Sequence, residues 1–177
     1  MKSKLKITTL LLLSLISTTA VLAGGVYQQP DEFISEVFDN SPPKAEVLWL
    51  NTDLKQQIAD ILNHKYQALR IRYWKQQHKS AWVLEEIGKE KPITAGIVVN
   101  NGKIERLKIL IFRESRGWEI RHDFFTNQFK QASLDENHML DKTIDNISGA
   151  TLSVRAVKKL AQIALLLDRE IQQTAAP

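Results

Sequence analysis

The 177-residue sequence contains no cysteine. That absence excludes disulfides, cysteine-ligated iron–sulfur clusters, c-type haem attachment and thiol catalysis. In an oxidising compartment such a chain is held together by its core alone. No G-x-G-x-x-G occurs, so the dinucleotide fingerprint is missing. No H-E-x-x-H occurs either, and His64, His78, His122 and His138 show no metal-ligand spacing. They read as surface or internally satisfied histidines, and no metal is expected. Glu85 and Glu86 are neighbours on a strand and face opposite ways, which argues against a paired-carboxylate acid/base site. No local signature assembles Ser, His and Asp into a catalytic set, so no catalytic residue is assigned. Internal repeats and low-complexity linkers are also missing.

What is present is an ordinary globular composition, 44% apolar and 25% charged. Lys+Arg number 24 against 20 Asp+Glu, giving a formal charge of +4 and a pI near 9.3. A basic balance invites a nucleic-acid reading, so the position of the charge matters. Lys2, Lys4 and Lys6 lie in the first six positions, and no acidic residue precedes Asp31. The run Ile7–Ala23 is apolar but diluted by Thr8, Thr9, Ser14, Ser17, Thr18 and Thr19, and it ends in Val21-Leu22-Ala23. A basic start, a short apolar stretch and small residues at −3 and −1 make residues 1–23 a secretory signal peptide. The alternative is an uncleaved anchor, although a spanning helix needs about 20 apolar residues. No cysteine follows, which excludes lipoprotein processing. Both readings place residues 24–177 outside the cytoplasm, and a periplasmic location is expected. Without the three lysines the remainder has 21 basic and 20 acidic residues. The charge that hinted at nucleic acid is then mostly part of the export signal, and no nucleic-acid partner is expected.

The remainder is long enough for one well-buried core. We read 24–177 as one domain, with N-terminal helices and first strands over 24–79 and a core over 80–177. Residues 24–31 read as a mobile segment. Asp31–Phe38 reads as a short helix ended by Asn40-Ser41-Pro42-Pro43, and Glu46–Leu50 as a short strand. Asn51-Thr52-Asp53 offers an N-cap, after which Leu54, Ile58, Ile61 and Leu62 recur at helical spacing to about Tyr66. Strand patterns follow over 68–75, 81–87, 93–99 and 103–112. Tyr73, Trp74 and Trp82 lie on these strands and read as packing residues. Asn100-Asn101-Gly102 between two apolar runs is a strong hairpin signal. Residues 122–132 predict a helix with Phe125 and Phe129 inward, and 133–147 a polar loop. Leu152–Gln172 predicts a long amphipathic helix with Val154, Val157, Leu160, Ala161, Ala164, Leu167 and Ile171 buried. Arg155, Lys158, Lys159, Gln162 and Arg169 are then expected outside. The fold class is α+β, an antiparallel sheet of four to five strands with helices packed on one side.

The chemistry-bearing stretch is Asp145-Asn146-Ile147-Ser148-Gly149-Ala150-Thr151, where the polar loop becomes the long helix. Small residues let something approach the backbone closely. A helix start presents free N–H groups and the positive end of its dipole, which suits an anion. Arg155, Lys158 and Lys159 follow in the next turns, and Ser148 and Thr151 add hydroxyls. Physics alone therefore gives a candidate phosphate site. The plainer alternative is an N-cap, in which Ser148 caps, Gly149 turns and nothing binds.

Every fixed position of this stretch, Asp145, Ser148, Gly149, Ala150 and Thr151, resembles the flavinylation motif of the FMN-binding domain family. That family includes the C subunit of the sodium-translocating NADH:quinone oxidoreductase and the G subunit of the Rnf electron-transport complex. Arg113-Glu114-Ser115, Gly117 and the helix end Gln128-Phe129 also resemble the family, over roughly residues 80–170. The resemblance implies FMN joined covalently through its phosphate to the hydroxyl of Thr151. It makes Asp145, Ser148, Gly149 and Ala150 the recognition sequence of an exported flavin transferase. It further implies cofactor contacts at Glu114, Ser115, Gly117 and Trp118, with Trp118 either stacked on the ring or simply packed. The chain departs from the family at Ser115-Arg116-Gly117-Trp118-Glu119, where members often carry Thr-Pro-Gly-Leu-Gly. It departs again at Val154, after Ser153, where members often carry a second hydroxyl.

The implied function is an exported, membrane-associated electron-transport flavoprotein. A membrane redox protein or cytochrome is its expected partner, since NADH is not exported. It is a carrier or redox subunit rather than a stand-alone catalyst. Two alternatives stay open: a non-redox periplasmic module holding an anion at the same helix start, and an accessory subunit in which the motif is only a cap.

Overall fold

The computed structural model describes residues 25–174. The signal-peptide reading of 1–23 lies outside them. Six strands form one antiparallel sheet: β1 (Gly25–Val26), β2 (Glu46–Trp49), β3 (Arg70–Gln76), β4 (Lys79–Ile87), β5 (Pro92–Asn100) and β6 (Lys103–Phe112). The strand order is β1-β6-β5-β4-β3-β2. Helices α1 (Pro30–Val37), α2 (Thr52–Leu62), α3 (Asp123–Thr126) and α4 (Thr151–Thr174) complete the α+β fold. Among the described residues no helix is long and apolar enough to cross a membrane.

The extra strand comes from Gly25–Val26, inside the segment expected to be mobile. It pairs with Ile111 and Phe112 of β6, and Tyr27 N–H donates to Leu110 O at 2.8 Å. A two-residue strand has too few positions to show alternation. The central hairpin forms as its turn chemistry dictates. Asn101 and Gly102 adopt φ of 52° and 70°, the pair of positive values that matches the twist of adjoining strands.

Alternation along β4 and β5 divides the sheet into two faces. The inner face carries Trp82, Leu84, Ile93, Ala95, Ile97 and Val99, and α2 and α4 pack there in the larger core. Trp82 is fully buried and stacks on Tyr73 with centroids 5.1 Å apart. Its indole N–H donates to Ser80 Oγ at 2.8 Å, and Ser80 Oγ donates to Asp168 Oδ1 at 2.6 Å. This chain of bonds ties α4 to β4. Burial pushes the Asp168 carboxyl above its ordinary range. The outer face carries Ala81, Val98 and Leu110, which meet Phe33, Ile34 and Phe38 of α1 in a smaller core. The helices therefore lie on both faces, not one, because α1 uses its own apolar stripe on the opposite side.

Residues 122–132 are not one helix. A 3-10 turn at Trp118–Arg121 leads into α3, and a second 3-10 turn covers Asn127–Phe129. Phe125 and Phe129 are nonetheless fully buried, edge to face at 5.4 Å. All seven residues of the expected α4 stripe are buried. Gln162, expected outside, is buried too, and its Nε2 donates to His138 O at 2.7 Å. The 133–147 loop folds over that part of the helix and gives the amide a partner.

Candidate functional site

The Asp145–Thr151 stretch is fixed at both ends. Asp145 N–H donates to Gln128 Oε1 at 2.8 Å, so the helix end Gln128-Phe129 holds the start of the motif. At the other end Ala150 N–H donates to Ile147 O at 2.9 Å, closing a turn in which Gly149 has φ of 81°. Thr151 is the first residue of α4 and Ala150 the residue before it. Ala150 is buried, whereas Ser148, Gly149 and Thr151 are exposed.

In this geometry Ser148 does not cap the helix. Among the described residues neither Ser148 Oγ nor Thr151 Oγ1 makes a hydrogen bond, and the N–H groups of Thr151, Leu152 and Ser153 have no partner in the chain. A 24-residue helix thus begins with its first donors unpaired and an alanine in the capping position, a poor choice for stability. Unpaired N–H groups at a helix start, with the dipole behind them, favour an anion.

The loop after β6 packs against this helix start. Gly117 has φ of 87°, and a Cβ there would lie 2.8 Å from Ser153 Oγ and 3.3 Å from Ala150 Cβ. The close approach that the small residues permit is therefore first of all that of the Gly117 loop. Glu114, just before it, is buried, and its Oε1 accepts the N–H groups of Lys89, Glu90 and Lys91 at 2.6, 2.7 and 3.0 Å. Burial alone raises this carboxyl, but the three N–H groups outweigh it and hold it below its ordinary range. Glu114 thereby locks the β4–β5 turn to the Gly117 loop.

Between these parts lies a cavity of 580 Å³, within the range of small-molecule sites. Glu114, Ser115, Gly149, Ala150 and Thr151 line it, joined by Arg116, Lys89 and Glu90. A second cavity of 490 Å³ on the other flank of Thr151 is lined by Asn146, Arg155, Lys158 and His138, among others. Thr151 is on the rim of both.

Several expected participants are elsewhere. Asp145, Ser148, Gly117 and Trp118 line neither cavity. Trp118 is half-buried, packs on the larger core and lies under the Arg121 guanidinium at 5.0 Å. Lys159, expected to face out as a bare cation, is largely covered. Its Nζ donates to Leu62 O at 2.5 Å and approaches Glu86 at 3.4 Å, where His64 also pairs at 3.1 Å. The positive charge around Thr151 comes from Arg155 and Lys158 in one cavity and from Lys89 and Arg116 in the other. Lys89, Glu90 and Arg116 are the residues that sequence reasoning missed. They belong to a charged turn and a loop, Lys89 lying 56 and Arg116 29 residues before Asp145, and no local pattern links them to the motif. Among the described residues no three His, Asp or Glu side chains gather in a way that could hold a metal ion.

No curated protein matches the chain. The family model of the FMN-binding domain matches residues 88–166, from the β4–β5 turn held by Glu114 to the middle of α4. That stretch, 79 of the 177 residues, is similar to the FMN-binding domain family.

Proposed function

We propose that this protein is an exported electron-transfer flavoprotein carrying FMN covalently, through its phosphate, on Thr151. One observation carries the reading. Inside the matched segment the motif threonine stands exposed on a helix start where, among the described residues, neither its hydroxyl nor the first three N–H groups has a partner. Those groups, with Arg155 and Lys158 beside them, would hold the phosphate. The cavities on the flanks of Thr151 give the rest of the cofactor room.

In this reading Thr151 Oγ1 forms the bond to phosphorus and loses its proton. The leaving group of an activated flavin nucleotide departs from the same phosphorus, on a separate flavin transferase. When bound, the flavin supplies one- and two-electron chemistry that a cysteine-free chain lacks. The chain itself contributes the anion site, a loop locked by Glu114, and the small residues that admit Gly117. A covalent link also prevents loss of the cofactor outside the cytoplasm, where free FMN is scarce. A membrane redox protein or cytochrome is the proposed partner.

Coexpression with a flavin transferase tests the proposal. The denatured protein is expected to fluoresce on a gel and to be heavier by one FMN less one water. Thr151→Ala is expected to lose both signals and Thr151→Ser to keep them in part. A colourless wild-type protein in the presence of active transferase overturns the reading. A coloured protein whose denatured mass is unchanged favours a dissociable ligand at the same helix start.

A further inference from the structure

The outer sheet face is only partly covered. Helix α1 sits over Ala81, Val98 and Leu110, reaches the edge of Trp74, and leaves Val47, Trp49, Arg70 and Arg72 exposed. There Val47 faces Arg72 and Trp49 faces Arg70 as direct cross-strand partners, so all four side chains share that face. Trp74 follows Arg72 by two residues on the same side, and Val83 continues the patch onto β4. Val47, Arg70, Arg72, Trp74 and Val83 line a hollow of 490 Å³ bordered by Pro30 and Asp31 of α1, and Trp49 stands beside it as the cross-strand partner of Arg70. Trp49 is 65% exposed and Val47 44%. A tryptophan so exposed on a sheet, with Arg70 held over its ring at 5.4 Å, is costly to keep in water without a use.

Charge narrows the occupant. Neither Arg70 nor Arg72 makes an ion pair among the described residues, and Asp31 is the one carboxylate lining the hollow. The patch contains arginine and tryptophan but no lysine, the composition of interface hot spots rather than of a solvated face. A second copy would set Arg70 and Arg72 against the same arginines. The chain's own first residues carry Lys2, Lys4 and Lys6 and no acid before Asp31, so they too are repelled. An acidic partner meets both guanidinium groups and covers the tryptophans.

We propose that the outer face of β2 and β3 is a docking surface for a protein partner that presents carboxylates around an apolar contact. The surface lies outside the matched segment and shares no residue with the Thr151 site. It also lies at the end of the sheet that carries the β4–β5 turn, because Trp49 and Arg70 stand at the same end as Ile87. A partner seated there is on the side of the molecule where the motif opens.

The probe is a short synthetic peptide of alternating glutamate and leucine, titrated into the isotope-labelled protein while the indole N–H signals are followed. Trp49 and Trp74 are expected to shift, and Trp118 to stay. Trp49→Ala is expected to weaken binding about thirtyfold, as for a hot-spot aromatic, and the pair Arg70→Glu and Arg72→Glu to abolish it. All these variants are expected to keep the native spectrum and to load flavin as before. Three results overturn the proposal. They are silent Trp49 and Trp74 signals, equal binding of the lysine–leucine peptide, and arginine-dependent binding to phosphatidylglycerol vesicles without binding to the peptide. Loss of flavin loading in Thr151→Ala leaves this titration unchanged, so the two ideas fail separately.

Discussion

Helices α2 and α4 begin in opposite ways. Before α2, Asn51 turns its side chain back and accepts Leu54 N–H at 2.8 Å. At α1, Gln29 N–H is likewise taken up by Glu32 at 3.1 Å. Before α4 there is buried Ala150, and an exposed Ser148 that caps nothing. Yet α4 is the longest helix among the described residues and supplies much of the larger core. Among the described residues a side chain reaches back at the starts of α1 and α2, and none does at the start that carries the motif. Packing over the rest of α4 outweighs the missing cap.

The contrast can be broken at several points. Gly117→Ala is expected to have the largest effect, about 3 kcal/mol in denaturant unfolding. It forces a Cβ into the left-handed region and against Ser153. It should also reduce flavin loading by displacing the helix start. Glu114→Gln is expected to cost about 2 kcal/mol by weakening three charge-assisted bonds to the β4–β5 turn. Its pH signature follows from the sign of the shift. A carboxyl held below 4.5 in the folded state stabilises the protein above the unfolded value, and that contribution is lost as pH falls from about 4.5 through the folded pKa. Unfolding measured against pH in that acid window should be flatter in Glu114→Gln than in the wild type. Asn51→Ala is expected to cost about 1 kcal/mol as an ordinary lost cap. Ser148→Ala should cost less than about 0.5 kcal/mol. A Ser148→Ala loss equal to that of Asn51→Ala would show that α4 is capped after all, and would remove the open anion site.

Much of this was legible in the sequence. The stripe of α4, the Asn101-Gly102 turn, the cap at Asn51 and the inward Phe125 and Phe129 follow from local periodicity and turn chemistry. The position of Thr151 at a helix start was equally legible, as a helical pattern begins where a run of small polar residues ends. Other features were not. The fate of Lys159 depends on Glu86 and Leu62, and the burial of Gln162 depends on His138. Both partners are far away along the chain. The role of Glu114 was visible only as part of a family resemblance. Its function as an acceptor for Lys89, Glu90 and Lys91 required the turn and the loop to be brought together.

The sequence by itself determined which segments alternate, which are helical and where a hydroxyl meets a helix start. These depend on neighbours a few residues apart, whose spacing the chain fixes. The tertiary structure decided that Gly25–Val26 joins the sheet, that α1 takes the opposite face, and that Gly117 rather than open space lies against Ala150 and Ser153. It also decided that, among the described residues, no side chain reaches back to cap α4. Each of these turns on contacts between distant segments, and their steric and hydrogen-bonding outcome exists only once the layers have packed.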